Sequence, residues 1–163
     1  MKDKVKVIDN FLAPKVFNAI KHQLTCSEFS WHLGDQNQNE EMDDFYFFHW
    51  LWSDNKQQSP YFNQILMPIL SKLNHTHLLR SKINLYPRNL KPKPSIFHVD
   101  VYVPHTVAIL SLNTCNGYLL FKDKTKIPSV ENQLIMFDGQ LEHASVAASD
   151  VRTRMNINID IVY

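Results

Sequence analysis

The chain has 163 residues, 44% of them hydrophobic, and its 17 basic and 16 acidic side chains leave a formal net charge of +1. That is enough chain for one packed domain over residues 1–163, with no charge excess calling for nucleic acid or a membrane surface as partner. Two cysteines exclude a disulfide framework, the lack of any apolar run of about 18 residues excludes a membrane-spanning helix, and three glycines with no glycine-rich loop exclude P-loop and Rossmann nucleotide sites.

In chain order, the charged start Met1-Lys-Asp-Lys-Val-Lys6 lacks the apolar stretch of a secretion signal, and a cytoplasmic location is expected. Val5 to Phe11 reads as a strand. Pro14 to Leu24 reads as a helix, with Val16, Phe17 and Ile20 at helical spacing. Asp35 to Asp44 is polar and reads as a loop. Phe45 to Trp52 is a strand dense in aromatic rings, more in keeping with a buried strand than with a substrate-stacking platform. Ser59-Pro60 precedes a second helix, Tyr61 to Leu73, which Pro68 should kink. From His77 the pattern is strand and turn: Leu78 to Tyr86, Ile96 to Val101, Val107 to Leu112, Tyr118 to Phe121, Asn132 to Phe137, His143 to Ala147 and Arg152 to Val162. Gly117 and Gly139 fall at predicted strand turns. Helices first and antiparallel strands afterwards predict a mainly β domain, a β-sandwich or jelly-roll with the N-terminal helices packed outside one sheet.

The chemistry concentrates in the second half. On a strand His98 and Asp100 project to one side, roughly 6–7 Å apart, so both can reach one ion. His143 can supply a third ligand from a neighbouring strand. Two histidines and one carboxylate on one face of an octahedron leave the opposite face open, the arrangement of non-haem Fe(II) sites. His-x-Asp alone is a common pattern. Its weight comes from Arg152, nine residues after His143, which opens a final strand where Arg152, Arg154, Asn156, Asn158 and Asp160 alternate with Thr153, Met155, Ile157, Ile159 and Ile161. One face of that strand is apolar and should meet the helices, while the other should point Arg152, Arg154 and Asn156 into the barrel mouth. His75 and His77 form a second close pair but have no carboxylate at matching spacing. His105 reads as a loop histidine near the site.

The run Asn84-Leu85-Tyr86-Pro87, His98-Val99-Asp100, Leu112-Asn113-Thr114-Cys115-Asn116-Gly117-Tyr118, Phe137-Asp138-Gly139 ahead of His143, then Arg152 with Asn156 and Asn158, resembles the 2-oxoglutarate/Fe(II)-dependent oxygenases. Within them it is most similar to the prolyl-hydroxylase-like branch, including its small phage-type members. The resemblance covers roughly Arg80 to Tyr163, about half of the chain. It implies a double-stranded β-helix, Fe(II) held by His98, Asp100 and His143, and 2-oxoglutarate as co-substrate. The farther carboxylate of 2-oxoglutarate would pair with Arg152 rather than Arg154, and Tyr86 and Asn84 would line its pocket. The implied activity is that of a dioxygenase, a hydroxylase acting on a prolyl or other peptide substrate or on a small molecule.

Two positions depart from the pattern. Ser111 stands where many members carry a tyrosine, leaving that contact to Tyr86 or Tyr118. Leu119-Leu120 follows Gly117-Tyr118 where a polar residue is frequent. Two other readings share the metal site, a nucleic-acid demethylase, against which the near-neutral charge argues, and a cupin-like metal-binding protein, which has no need of the arginine. Substrate choice is expected in the loops Asp35 to Asp44 and Pro87 to Ser95, the latter carrying Arg88, Lys91 and Lys93. The oligomeric state is not legible.

Overall fold

A computed structural model describes residues 5–35 and 45–163. The predicted loop from Asp35 to Asp44 lies outside the described residues except for the backbone of Asp35. The elements are β1 (Val5–Ile8), α1 (Pro14–Thr25), β2 (His32–Asp35), β3 (Phe45–Ser53), β4 (Lys56–Gln57), α2 (Phe62–Ile65) and α3 (Met67–Leu70). They continue with β5 (His77–Pro87), β6 (Thr106–Ser111), β7 (Cys115–Phe121), β8 (Lys126–Ser129), β9 (Leu134–Asp138), β10 (His143–Val146) and β11 (Thr153–Val162).

One large antiparallel sheet has the order β1-β9-β6-β11-β5-β3-β2, with β4 paired to β3, and a smaller sheet has the order β10-β7-β8. Val107, Ile109, Ile135 and Phe137 of the large sheet meet Leu119 and Phe121 of the small one in a buried cluster. The alternate residues Ala108, Leu110, Leu134, Ile157, Ile159 and Ile161 face the other way, into a larger core closed by Phe17, Ile20 and Leu24 of α1 and by Ile65, Ile69 and Leu70. Strands β6 and β9 are thus covered on both faces and read as unbroken apolar runs rather than alternating ones. Each fully buried Leu, Ile or Phe contributes roughly 1.5–3 kcal/mol relative to exposure. The result is a jelly-roll with helices packed on one sheet.

Two local features anchor this arrangement. Asn132, at φ 56°, accepts from Leu12 N–H on Oδ1 at 3.0 Å and donates from Nδ2 to Leu12 O at 2.8 Å, fastening the entry of α1 to the turn before β9. The predicted helix Tyr61 to Leu73 is broken into α2 and α3. Pro68 has no N–H to offer the preceding turn, so the ladder lapses although Leu66 keeps helical angles.

Candidate metal centre

The segment from Ile96 to Val101 does not form the predicted strand. Pro92 and Pro94 remove N–H donors just upstream, and the stretch from Pro94 onwards pairs with β10 only in isolated bridges, Pro94 with Val146 and His98 with His143. The second bridge carries the chemistry. His98 N–H donates to His143 O and His143 N–H to His98 O, both at 3.0 Å, so the two histidines stand directly opposite each other.

Each imidazole is oriented by its own backbone. His98 Nδ1 lies 2.9 Å from Ile96 O and His143 Nδ1 3.0 Å from Leu141 O. A carbonyl can only accept, so Nδ1 carries the proton and Nε2 presents its lone pair. Both Nε2 atoms point at Asp100, at 3.6 Å from Oδ1 for His98 and 3.5 Å from Oδ2 for His143. One ligand atom from each of the three residues lies within 4.8 Å of the others, the one such group among the described residues. His143 and the Asp100 carboxylate are buried, and His98 opens to solvent. Burial pushes the Asp100 carboxyl up, but the facing His143 and His98 imidazoles and the charge of Arg80 outweigh it and hold the group well below the usual range. The triad therefore offers an ionised carboxylate and two oriented imidazoles, a donor set that suits a divalent iron.

The triad faces a cavity of about 350 Å³ whose other wall is the polar face of β5 and β11. The register there is Arg80 with Asp160, Lys82 with Asn158, Asn84 with Asn156 and Tyr86 with Arg154. Period-2 geometry sends all eight side chains to one side. Asn158 Nδ2 donates to Asp100 Oδ2 at 2.9 Å, and Asn84 Nδ2 to Asn156 Oδ1 at 3.0 Å. Arg80 bridges Asp100 and Asp160 with separate nitrogens. Its own pKa is lowered by burial but raised more strongly by the two carboxylates, so it stays charged.

Arg154 is 2% exposed. Its guanidinium lies 5.3 Å from the ring centre of Tyr86, and neither Nε nor Nη1 has an acceptor. A side chain at position 117 would place Cβ 2.7 Å from Arg154 Cδ, so Gly117, inside β7 rather than at a turn, is what admits the arginine. Arg152 is exposed and sits in the bend before β11, where strand alternation no longer dictates direction. Of the two arginines the structure brings Arg154, not Arg152, to the polar interior.

Tyr86 and Asn84 line the cavity, whereas Tyr118 does not and stacks under Lys126 at 4.7 Å. Tyr86 Oη meets Ser145 Oγ at 3.2 Å, and the Ser111 hydroxyl is buried without a partner. Arg88, Lys91 and Lys93 are exposed and away from the cavity, which that loop reaches only through Ser95 and Ile96. His75 and His77 belong to no metal-capable group among the described residues. His105 lies in the loop just before β6, as read, and is buried. Its ring occupies space that any side chain at Gly139 would need, and its Nε2 lies 3.8 Å from Asp160 Oδ1. Sequence reasoning missed Arg80, Lys82 and the ligand-positioning role of Asn158. The alternation of Arg80, Lys82, Asn84 and Tyr86 along β5 was the available signal, parallel to the one read on the last strand.

No known family model matches the chain, and no curated protein matches it in sequence. Solved structures do match. A prolyl hydroxylase from Trichoplax adhaerens, in complex with a hypoxia-inducible-factor peptide fragment, aligns over 98% of this chain and 83% of its own, with a TM-score of 0.67 and 18% identity. The fold is that of the 2-oxoglutarate/Fe(II) oxygenases. A 2OG-Fe(II) oxygenase family oxidoreductase from Burkholderia pseudomallei aligns over 98% and 86%, with a TM-score of 0.68 and 6% identity. A viral collagen prolyl hydroxylase from Paramecium bursaria Chlorella virus-1, in a 2OG complex, aligns over 98% and 96%, with a TM-score of 0.61 and 14% identity. None of the described helices is long and apolar enough to cross a membrane.

Proposed function

We propose that this chain is a non-haem Fe(II), 2-oxoglutarate-dependent oxygenase, with His98, Asp100 and His143 as metal ligands and Arg154 as the partner of the co-substrate's farther carboxylate. The observation that carries the reading is the pairing, around one polar interior, of an oriented His/Asp/His set with a buried arginine whose Nε and Nη1 lack any acceptor. An uncompensated buried guanidinium costs several kcal/mol, a cost that a bidentate carboxylate would offset. A metal-binding protein of the same fold with no co-substrate would have no use for it.

When bound, iron and 2-oxoglutarate would supply the oxidant that inserts one oxygen atom of O₂ into a substrate C–H bond, with succinate and CO₂ as coproducts. The chain's own residues do the rest. Backbone carbonyls of Ile96 and Leu141 hold the imidazole tautomers. Arg80 and Asn158 each engage one oxygen of Asp100, fixing the plane of its carboxylate while leaving a lone pair on each for a metal. Tyr86 and Gly117 shape the space around Arg154. Two of the three similar structures named above are prolyl hydroxylases, one with a peptide bound, which supports a peptide among the substrate candidates.

Calorimetry under argon tests the assignment. Mn(II) should bind the wild type and 2-oxoglutarate should then bind the Mn(II) form, while Asp100→Ala should lose the metal. If Asp100→Ala binds Mn(II) as tightly as the wild type, or 2-oxoglutarate fails to bind, the reading is wrong. Succinate formation with Fe(II) and O₂ then separates turnover from binding alone.

A further inference from the structure

Lys82 has no task in the reading above. It points into the cavity from the middle of β5, and its Nζ touches Tyr46 Oη at 3.3 Å and lies over the faces of Tyr46, Phe48 and Trp50, at 5.2, 5.7 and 5.3 Å from their centres. No carboxylate among the described residues comes within ion-pair distance of it. Burial first, and the charge of Arg80 second, bring its ammonium down to about 8, so at neutral pH it is still a cation held away from water. The three rings offset part of that cost, at about 0.5–1 kcal/mol for each exposed contact.

The charges that the described residues place in and beside the cavity can be followed with metal and co-substrate in place. Asp100 and Asp160 balance two of the three cations Arg80, Lys82 and Arg154, and a dianionic co-substrate balances a divalent metal. One positive charge is left. Arg80 already has two carboxylate partners and Arg154 is assigned one, so among the described residues the cation without a counter-ion is Lys82. Beside it, Tyr46, Phe48 and Trp50 recur at every second position of β3 and form a partly exposed wall of rings.

Resting on the oxygenase reading, we propose that Lys82 with Tyr46, Phe48 and Trp50 is the substrate subsite, and that it selects a substrate bearing a carboxylate next to a flat or apolar body. The acid would lie against the ammonium and the body against the rings, placing the neighbouring carbon towards His98, Asp100 and His143 on the opposite wall.

The test uses the full chain loaded with Mn(II) and the inert 2-oxoglutarate analogue N-oxalylglycine, titrated calorimetrically at pH 7 with benzoate and its neutral isostere benzamide. A second pair of probes, a blocked tripeptide with a central aspartate and its asparagine counterpart, shows whether the carboxylate comes from a free acid or a side chain. At least one acid should bind ten-fold or more tightly than its neutral partner. Lys82→Met, which keeps the stem against the rings, should abolish that preference and change 2-oxoglutarate affinity less than two-fold. The proposal is overturned if neither acid is preferred, if Lys82→Met keeps the preference, or if Lys82→Met chiefly weakens 2-oxoglutarate, which would make Lys82 the co-substrate's own cation. Failure of the wild type to bind 2-oxoglutarate at all would instead sink the oxygenase reading, and acid preference could still be measured on the metal-free protein.

Discussion

Arg80 and Arg154 sit on the same polar face of the β5–β11 ribbon, one near each end, and keep opposite company. Arg80 is held by two carboxylates, Asp100 and Asp160, and through the first of them steadies the triad. Arg154 is more deeply buried and among the described residues has no acidic partner, only the ring of Tyr86 and the space left by Gly117. A buried cation with its anions present is part of the frame. A buried cation without one is stability given up for a ligand. The contrast separates positioning groups from binding groups without reference to any relative.

The largest effect is expected at the paired end. Arg80→Met leaves two buried carboxylates without their shared cation and should destabilise the metal-free protein by about 3–5 kcal/mol, read from urea unfolding. Mn(II) should restore part of that loss by neutralising Asp100. If the variant unfolds like the wild type, the shared pairing is not a structural element.

At the unpaired end the sign reverses. Arg154→Met should weaken 2-oxoglutarate binding by about 2–5 kcal/mol and yet raise the unfolding free energy of the ligand-free protein by about 1–4 kcal/mol. Arg154→Lys should not restore affinity, because an ammonium cannot reproduce the fork. Arg152→Ala, at the surface two residues away, should change stability by no more than about 0.5 kcal/mol and leave 2-oxoglutarate binding near wild type. Calorimetry on the three variants would return the role to Arg152 if only its loss matters.

The smallest effect sharpens the paired end itself. Arg80 is shared, and Asp160 has the weaker claim on it. Burial, and then the charge of Asp100, push Asp160 up from its ordinary 3.8 to about 6, against the pull of Arg80. A carboxyl whose folded value is raised stabilises the fold fully below its unfolded value, and that contribution is lost as pH rises through the folded one. The stability of the metal-free wild type relative to Asp160→Asn should therefore fall between about pH 4 and pH 6. A flat difference across that window would mean that Asp160 keeps its ordinary value.

Several elements of this account were legible in the chain. The alternation after Arg152 announced a strand with one apolar and one polar face, and Ile157 and Ile159 do face the helices while Asn156 and Asn158 face the cavity. His98, Asp100 and His143 were selected by residue type and spacing, and the structure brings them within reach of one ion. Less legible was where regularity stops. Alternation assigns a face only within a strand, and β11 begins at Thr153, so Arg152 falls outside the rule that places Arg154. Likewise the His98 segment has the pattern of a strand, yet the prolines before it leave only isolated bridges.

By itself the sequence determined the class of fold, the apolar and polar faces of its strands and the residue types able to hold a metal, because these follow from local periodicity and side-chain chemistry. Only the tertiary structure decided which cations have partners. Arg80, Lys82 and Arg154 are equivalent as letters in a polar alternation, and what distinguishes them is the arrival of Asp100 from a distant loop, the placing of Asp160 across from Arg80 by strand register, and the closing of β7 over Arg154 at Gly117. Charge pairing acts over a few ångströms between residues far apart in the chain, so it depends on register and packing, which no local pattern encodes.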